Sequence, residues 1–130
     1  MTPEEFDRGF LWRYRAKLLR VVDGDTMIVL ADTGFMGRHE VRIRLHDVWA
    51  PELKAEGGEA AKQRLTKVLL DAMRPENDGP RPEWYLRIVS LQKERVVAET
   101  TSFERFVADV FVVQENRLVN VADALRAREE

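Results

Sequence analysis

The stretch from Tyr14 to Asp32, YRAKLLRVVDGDTMIVLAD, restricts the fold of this chain more than any other. Its side chains alternate from Tyr14 to Val22: Tyr14, Ala16 and Leu18 on one side, Arg15, Lys17 and Leu19 on the other. That is the period of a strand. Asp23-Gly24 reads as a tight hairpin turn, since glycine reaches φ > 0 without a Cβ clash. Met27 to Leu30 is the returning strand. A plain hairpin has no need of a second carboxylate, Asp25, immediately beyond the turn. Two readings follow: ordinary turn chemistry, in which Asp is common, or a ligand for a hard cation.

The rest of the chain extends the pattern. Asp32-Thr-Gly34 and Gly37 mark a second turn. Glu40 to Asp47 predicts a third strand, with Val41, Ile43 and Leu45 on one face and Arg42, Arg44 and His46 on the other. Pro51 removes a backbone donor and ends regular pairing. Gly57-Gly58-Glu59 opens a helix, with Ala61, Leu65, Val68, Leu69 and Ala72 at helical spacing. It ends before Arg74-Pro75, and a polar loop runs to Pro82. Trp84 to Leu91 and Arg105 to Val113 alternate as a fourth and a fifth strand, separated by a long connection from Gln92 to Ser102. Leu118 to Leu125 predicts a short closing helix. This order predicts an all-β core with helices (α+β), a five-stranded Greek-key barrel of the OB type plus two helices.

Size and charge narrow the possibilities. A chain of 130 residues builds one domain with a real core, here expected over residues 1–130 with 1–12 as a lead-in. Without cysteine, disulfides and thiolate metal sites are excluded. No apolar run reaches the length of a membrane span, and Met1 to Phe10 holds no apolar signal-peptide core. A cytoplasmic monomer without membrane contact is the expectation. The net charge of −2 gives no long-range pull on polyanions, so any phosphate site must come from local clustering.

Several blocks together carry a resemblance. Val21-Val-Asp-Gly-Asp-Thr26, Val41-Arg-Ile-Arg-Leu-His-Asp-Val-Trp-Ala-Pro-Glu52 and Phe103-Glu-Arg-Phe-Val-Ala-Asp-Val-Phe111 resemble the staphylococcal nuclease (thermonuclease) family. So does the closing Leu118-Val-Asn120. The likeness covers Tyr14 to Leu125, with the blocks in order around one helix. It implies calcium-dependent hydrolysis of phosphodiester bonds in DNA or RNA. Asp25 would be a metal carboxylate and the Ala50 carbonyl a further ligand. Arg44 and Arg105 would bind phosphate, and Glu52 would activate water. These residue types suit the chemistry, because guanidinium forks bind the charge that gathers on a pentacoordinate phosphorus.

The departures from the family pattern are chemical. Where the family has an aspartate before A-P-E or T-P-E, this chain has Trp49, and a phosphate-contacting tyrosine becomes Phe103. Losing one of two carboxylates removes an anionic calcium ligand, so an altered and weakened calcium site is expected. Asp47 is a nearby replacement, but its parity matches Ile43 and Leu45, so it turns inward only at a bulge or strand end. Trp49 is a candidate to stack on a base, and Phe103 stands beside it as a second candidate for substrate contact. His39 and His46 read as solvated. The two functions implied are a metal-dependent nuclease acting on nucleic acid, single-stranded above all, and a non-catalytic module that binds nucleic acid or protein in the same cleft. Surviving Asp25, Arg44, Glu52 and Arg105 favour the first; Trp49 favours the second.

Overall fold

A computed structural model of the chain describes residues 1–5, 12–72, 84–97, 102–114 and 117–129. Six strands and two longer helices follow in the order β1 (Arg13–Asp23), β2 (Thr26–Gly34), β3 (Gly37–Leu45), α1 (Gly58–Ala72), β4 (Leu86–Val97), β5 (Ser102–Gln114), β6 (Arg117–Asn120) and α2 (Val121–Glu129). The sheet order is β3-β2-β1-β4-β5-β6, and β3 also pairs with β5. That last pairing closes five strands into a barrel. It is parallel, Ile43 opposite Phe106 and Leu45 opposite Ala108, while the other ladders are antiparallel. The expected five-stranded barrel with helices is therefore present, and β6 is added outside it along β5.

Alternation explains the core. Met27, Val29 and Ala31 of β2, Ile43 and Leu45 of β3, Leu86 and Ile88 of β4, and Ala108, Val110 and Val112 of β5 point inward and are buried. Every second residue of a strand faces one side, so one row of each of these strands enters the core; in β2 the other row is covered too, with Thr26 and Ile28 buried. Helix α1 supplies Leu65, Val68 and Leu69 to the same core, and α2 adds Val121 and Leu125. In β1 the register against β2 shifts twice, between Leu18 and Arg20 and between Val21 and Asp23. Leu18 pairs with Val29 and Arg20 with Ile28, so Leu19 is an extra residue in a bulge. The Tyr85 hydroxyl accepts the Leu18 N–H at 3.0 Å there.

Three expectations need correction. The stretch Gln92 to Ser102 is not a long connection, because β4 runs on to Val97 and β5 begins at Ser102. Its apolar alternation is poor, but opposite charges meet across the ladder, Glu94 directly opposite Arg105 and Lys93 diagonally with Glu104 at 3.1 Å. Such cross-strand pairs replace apolar ones. Leu118 to Asn120 is strand, not helix: Val119 pairs with Val112. Helix α2 starts only at Val121, where Asn120 Oδ1 accepts the Ala122 N–H at 2.8 Å as an N-cap. The turn glycine Gly24 does not use φ > 0. A Cβ on it would lie 2.5 Å from the Ala61 Cβ and 2.7 Å from that of Ala50, so glycine is needed for a close approach of three segments. The Arg74-Pro75 helix stop and the loop to Pro82 fall outside the described residues.

Candidate phosphodiester site

The β1–β2 turn carries Asp25. Asp23 pairs with Thr26, which makes Gly24 and Asp25 the two turn residues rather than leaving Asp25 beyond the turn. The Asp25 N–H donates to Asp23 Oδ1 at 3.2 Å, and the Thr26 hydroxyl donates to Asp25 Oδ1 at 2.9 Å. Its own carbonyl accepts the Leu45 N–H at 2.8 Å. This backbone bond fixes the turn to the exit of β3, one residue past Arg44. The side chains then meet, with Arg44 Nε 4.0 Å from Asp25 Oδ2.

Asp25 is buried, 8 % exposed. Burial pushes its carboxyl from 3.8 up to about 6, and the hydrogen bond and charge of Asp23 push the same way, against Thr26 and Arg44. The cause is loss of water around the anion, which Arg44 at 4.0 Å only partly offsets.

Arg105 lies on β5, the strand parallel to β3. Arg44 is opposite Val107, so Arg105, two residues earlier, is on the same outer face of the sheet. Its Nε donates to Glu94, the residue directly across the β4–β5 ladder. Both arginines thus lie on one face, each beside a carboxylate.

The loop after β3 brings the remaining residues. Ala50 packs against the β1–β2 turn at Gly24. Trp49, just before it, is 84 % exposed. The Glu52 side chain is exposed and makes no hydrogen bond or ion pair among the described residues, while its carbonyl accepts the Ala55 N–H at 2.9 Å. Phe103 is opposite Val96 on β5, and its side chain lies outside what the structure describes.

Asp47 does not replace the missing carboxylate. It has left-handed backbone, φ 61°, its exposed carboxylate lies 3.5 Å from His46 Nε2, and its carbonyl accepts from Arg126 at 2.9 Å. Among the described residues no three His, Asp or Glu side chains gather as a metal cluster. Calcium takes six to eight oxygens, several of them anionic. One buried carboxylate, Asp25, falls short of that donor set. The residues present do not fit a calcium cage.

One side chain read as solvated is engaged. His46 Nδ1 lies 3.1 Å from Asp109 Oδ1, and the ring is half-buried between that carboxylate and Asp47. The signal was its parity with Arg44, which continues the outer row of β3 one step past the strand's end. Its partner on β5 is a long-range neighbour that local pattern does not reveal.

No protein-family model matches this chain. Two curated proteins are similar over part of it: Protein ParB of Escherichia coli, 43 % identical over 51 residues, and micrococcal nuclease of Shigella flexneri, 40 % identical over 52 residues. The similar stretch is 39 % and 40 % of this chain, and 26 % and 27 % of those proteins. This chain is an OB-like barrel with helices that carries a stretch similar to part of a micrococcal nuclease.

Proposed function

We propose that the Asp25–Arg44–Arg105 face is the phosphodiester site of a nuclease-like module that holds a single strand of DNA or RNA and cleaves it slowly. The observation that carries this reading is the juxtaposition itself. A buried carboxylate lies 4.0 Å from Arg44, and Arg105 shares its sheet face on the next strand. Guanidinium forks grip the two non-bridging oxygens of a phosphodiester and stabilise the charge that grows there as water attacks. Glu52, exposed and unpartnered among the described residues, would take the proton from that water. The P–O bond to the leaving sugar oxygen breaks as the new one forms, and solvent protonates the leaving group. Partial similarity to a micrococcal nuclease supports the same reaction class.

Trp49 favours a second reading, binding without turnover. An exposed indole beside the turn can stack on any base, which suits sequence-tolerant capture of a strand.

Cleavage of labelled single-stranded DNA and RNA, with calcium and with chelator, separates the two. The nuclease reading expects slow cleavage that Arg44→Ala, Arg105→Ala and Glu52→Ala each reduce, by roughly a hundredfold where a charge-stabilising donor is lost. Trp49→Asp would restore the missing anionic ligand beside Asp25, so it should add calcium binding and calcium-dependent cleavage. An inert wild type beside a folded Trp49→Asp protein that neither binds calcium nor cleaves leaves only the binding reading.

A further inference from the structure

The hairpin that joins β2 and β3 ends in a tip that folding alone does not favour. Gly34 pairs with Gly37, leaving Phe35 and Met36 as the two-residue loop. Both have left-handed backbone, φ 52° and 65°, a conformation that two-residue hairpin loops normally give to Asn and Gly. Both side chains are fully exposed, at 106 % and 98 %. A large aromatic and a thioether held in an unfavourable backbone region, touching water only, are the combination found where a protein reserves a contact for a partner.

What leads to the tip indicates the partner. The outer row of β3 carries Arg38, Arg42 and Arg44, opposite Asp32, Ile28 and Thr26 of β2. Glu40 is the one carboxylate in that row. Arg38 is steadied with its guanidinium 5.3 Å from the Trp84 ring centroid, and Lys17 Nζ lies 5.6 Å from the same ring. Stacking of this kind orders a cation without cancelling its charge. At strand rise the row extends about 25 Å from Arg44 to the tip, the length of roughly seven steps of a duplex.

We propose that the β2–β3 ribbon is a nucleic-acid arm, in which Arg44, Arg42 and Arg38 follow a sugar–phosphate backbone away from the cleft and Phe35 and Met36 wedge between bases at the far end. This rests on the nucleic-acid reading of the cleft and adds where the strand runs and what holds its bases. Charge complementarity to a polyanion and continuity with the Arg44 site select this partner over a second protein or a lipid surface. Phe and Met are side chains that wedges use to unstack base steps, and every base offers a face to an aromatic ring.

The test uses the whole chain and short DNA and RNA oligonucleotides, single-stranded and duplex, carrying 2-aminopurine, whose fluorescence rises when its neighbours unstack. Wild type should raise that fluorescence on binding. Phe35→Asn with Met36→Gly should abolish the rise and weaken binding about tenfold, while thermal melting holds or improves because the new residues suit the turn. Phe35→Tyr should retain the rise. Arg38→Ala should lower the salt slope of binding by somewhat less than one. If Arg44→Ala and Arg105→Ala weaken binding but the tip double substitution and Arg38→Ala do nothing, the arm is overturned and the cleft stands. If the wild type binds none of the oligonucleotides, both fall. A tip substitution that alters sedimentation or anionic-vesicle binding while nucleic-acid affinity is untouched overturns the arm in favour of another partner.

Discussion

Asp25 is held in its ionised form at a cost, because its burial removes water that a single arginine at 4.0 Å replaces only in part. A carboxyl whose folded-state value lies above its unfolded value binds more protons in the folded chain between the two. It therefore contributes stability that is full below about 4 and is lost as pH rises through about 6. The loss is on the order of 3 kcal/mol. Asn imitates the protonated form, so Asp25→Asn should match wild type near pH 4 and exceed it in stability near pH 7. Denaturant melts at both values check this; equal differences at the two would show that the carboxyl titrates normally.

At the scale of elements, β1 carries two register shifts against β2, at Leu19 and at Val22. The Leu19 bulge re-phases the strand so that Leu18 faces Val29 and Val21 faces Met27. The β1–β4 ladder ends at Ala16 opposite Leu86, and just beyond it the Tyr85 hydroxyl accepts the Leu18 N–H at 3.0 Å. Burial raises the Tyr85 phenol above its usual value, so it stays neutral over the working pH range. Tyr85→Phe keeps the ring and its packing but orphans that N–H. The expected loss is about 1–2 kcal/mol, measured by denaturant unfolding, with faster amide exchange at Leu18 as the local signature. An unchanged melt and unchanged exchange would mean that water serves the bulge equally well. The opposite end of the next hairpin shows the converse case, where Phe35 and Met36 keep left-handed backbone with no internal contact to stabilise it.

At the scale of the whole molecule, a net charge of −2 cannot steer a polyanion. Binding must come from cations concentrated on one face, and several of these already have partners: Arg44 with Asp25, Arg105 with Glu94, Arg15 with Asp32 at 2.7 Å. Affinity for a single strand should therefore be weak and steep in salt. With two to four phosphates engaged, log K should fall with log salt at a slope of about −1.5 to −3. Arg44→Ala and Arg105→Ala should each remove about 0.7 from it. Fluorescence polarisation across a salt series measures both quantities, and a flat response would point to a protein partner in the cleft.

Local periodicity was enough for the first three strands and the helix after them, but it missed the second half of β4 and read β6 as the start of a helix. The two-residue alternation of Tyr14–Leu18 and Val41–Leu45 defines which rows are buried, and the helix Gly58–Ala72 is legible from its glycine start and its apolar stripe. The order of elements was enough for a barrel. It could not show how the barrel closes, because the parallel β3–β5 pairing joins residues more than sixty positions apart. That closure brings Arg105 onto the face of Arg44 and Asp109 up to His46. The residue types of the site were readable, but their ionic partners were not: Glu94 for Arg105 follows from ladder register, and Arg44 for Asp25 follows from one backbone bond, Leu45 N–H to the Asp25 carbonyl. Gly24 makes the same distinction within one residue. Its presence in a turn was written locally, but the reason no other residue fits is that Ala50 and Ala61 close on it from two distant segments. Dihedral preference and side-chain period act between neighbours and belong to the sequence. Packing distance, register and desolvation arise only when remote segments meet, and those set the charge state of Asp25 and the partners of its arginines.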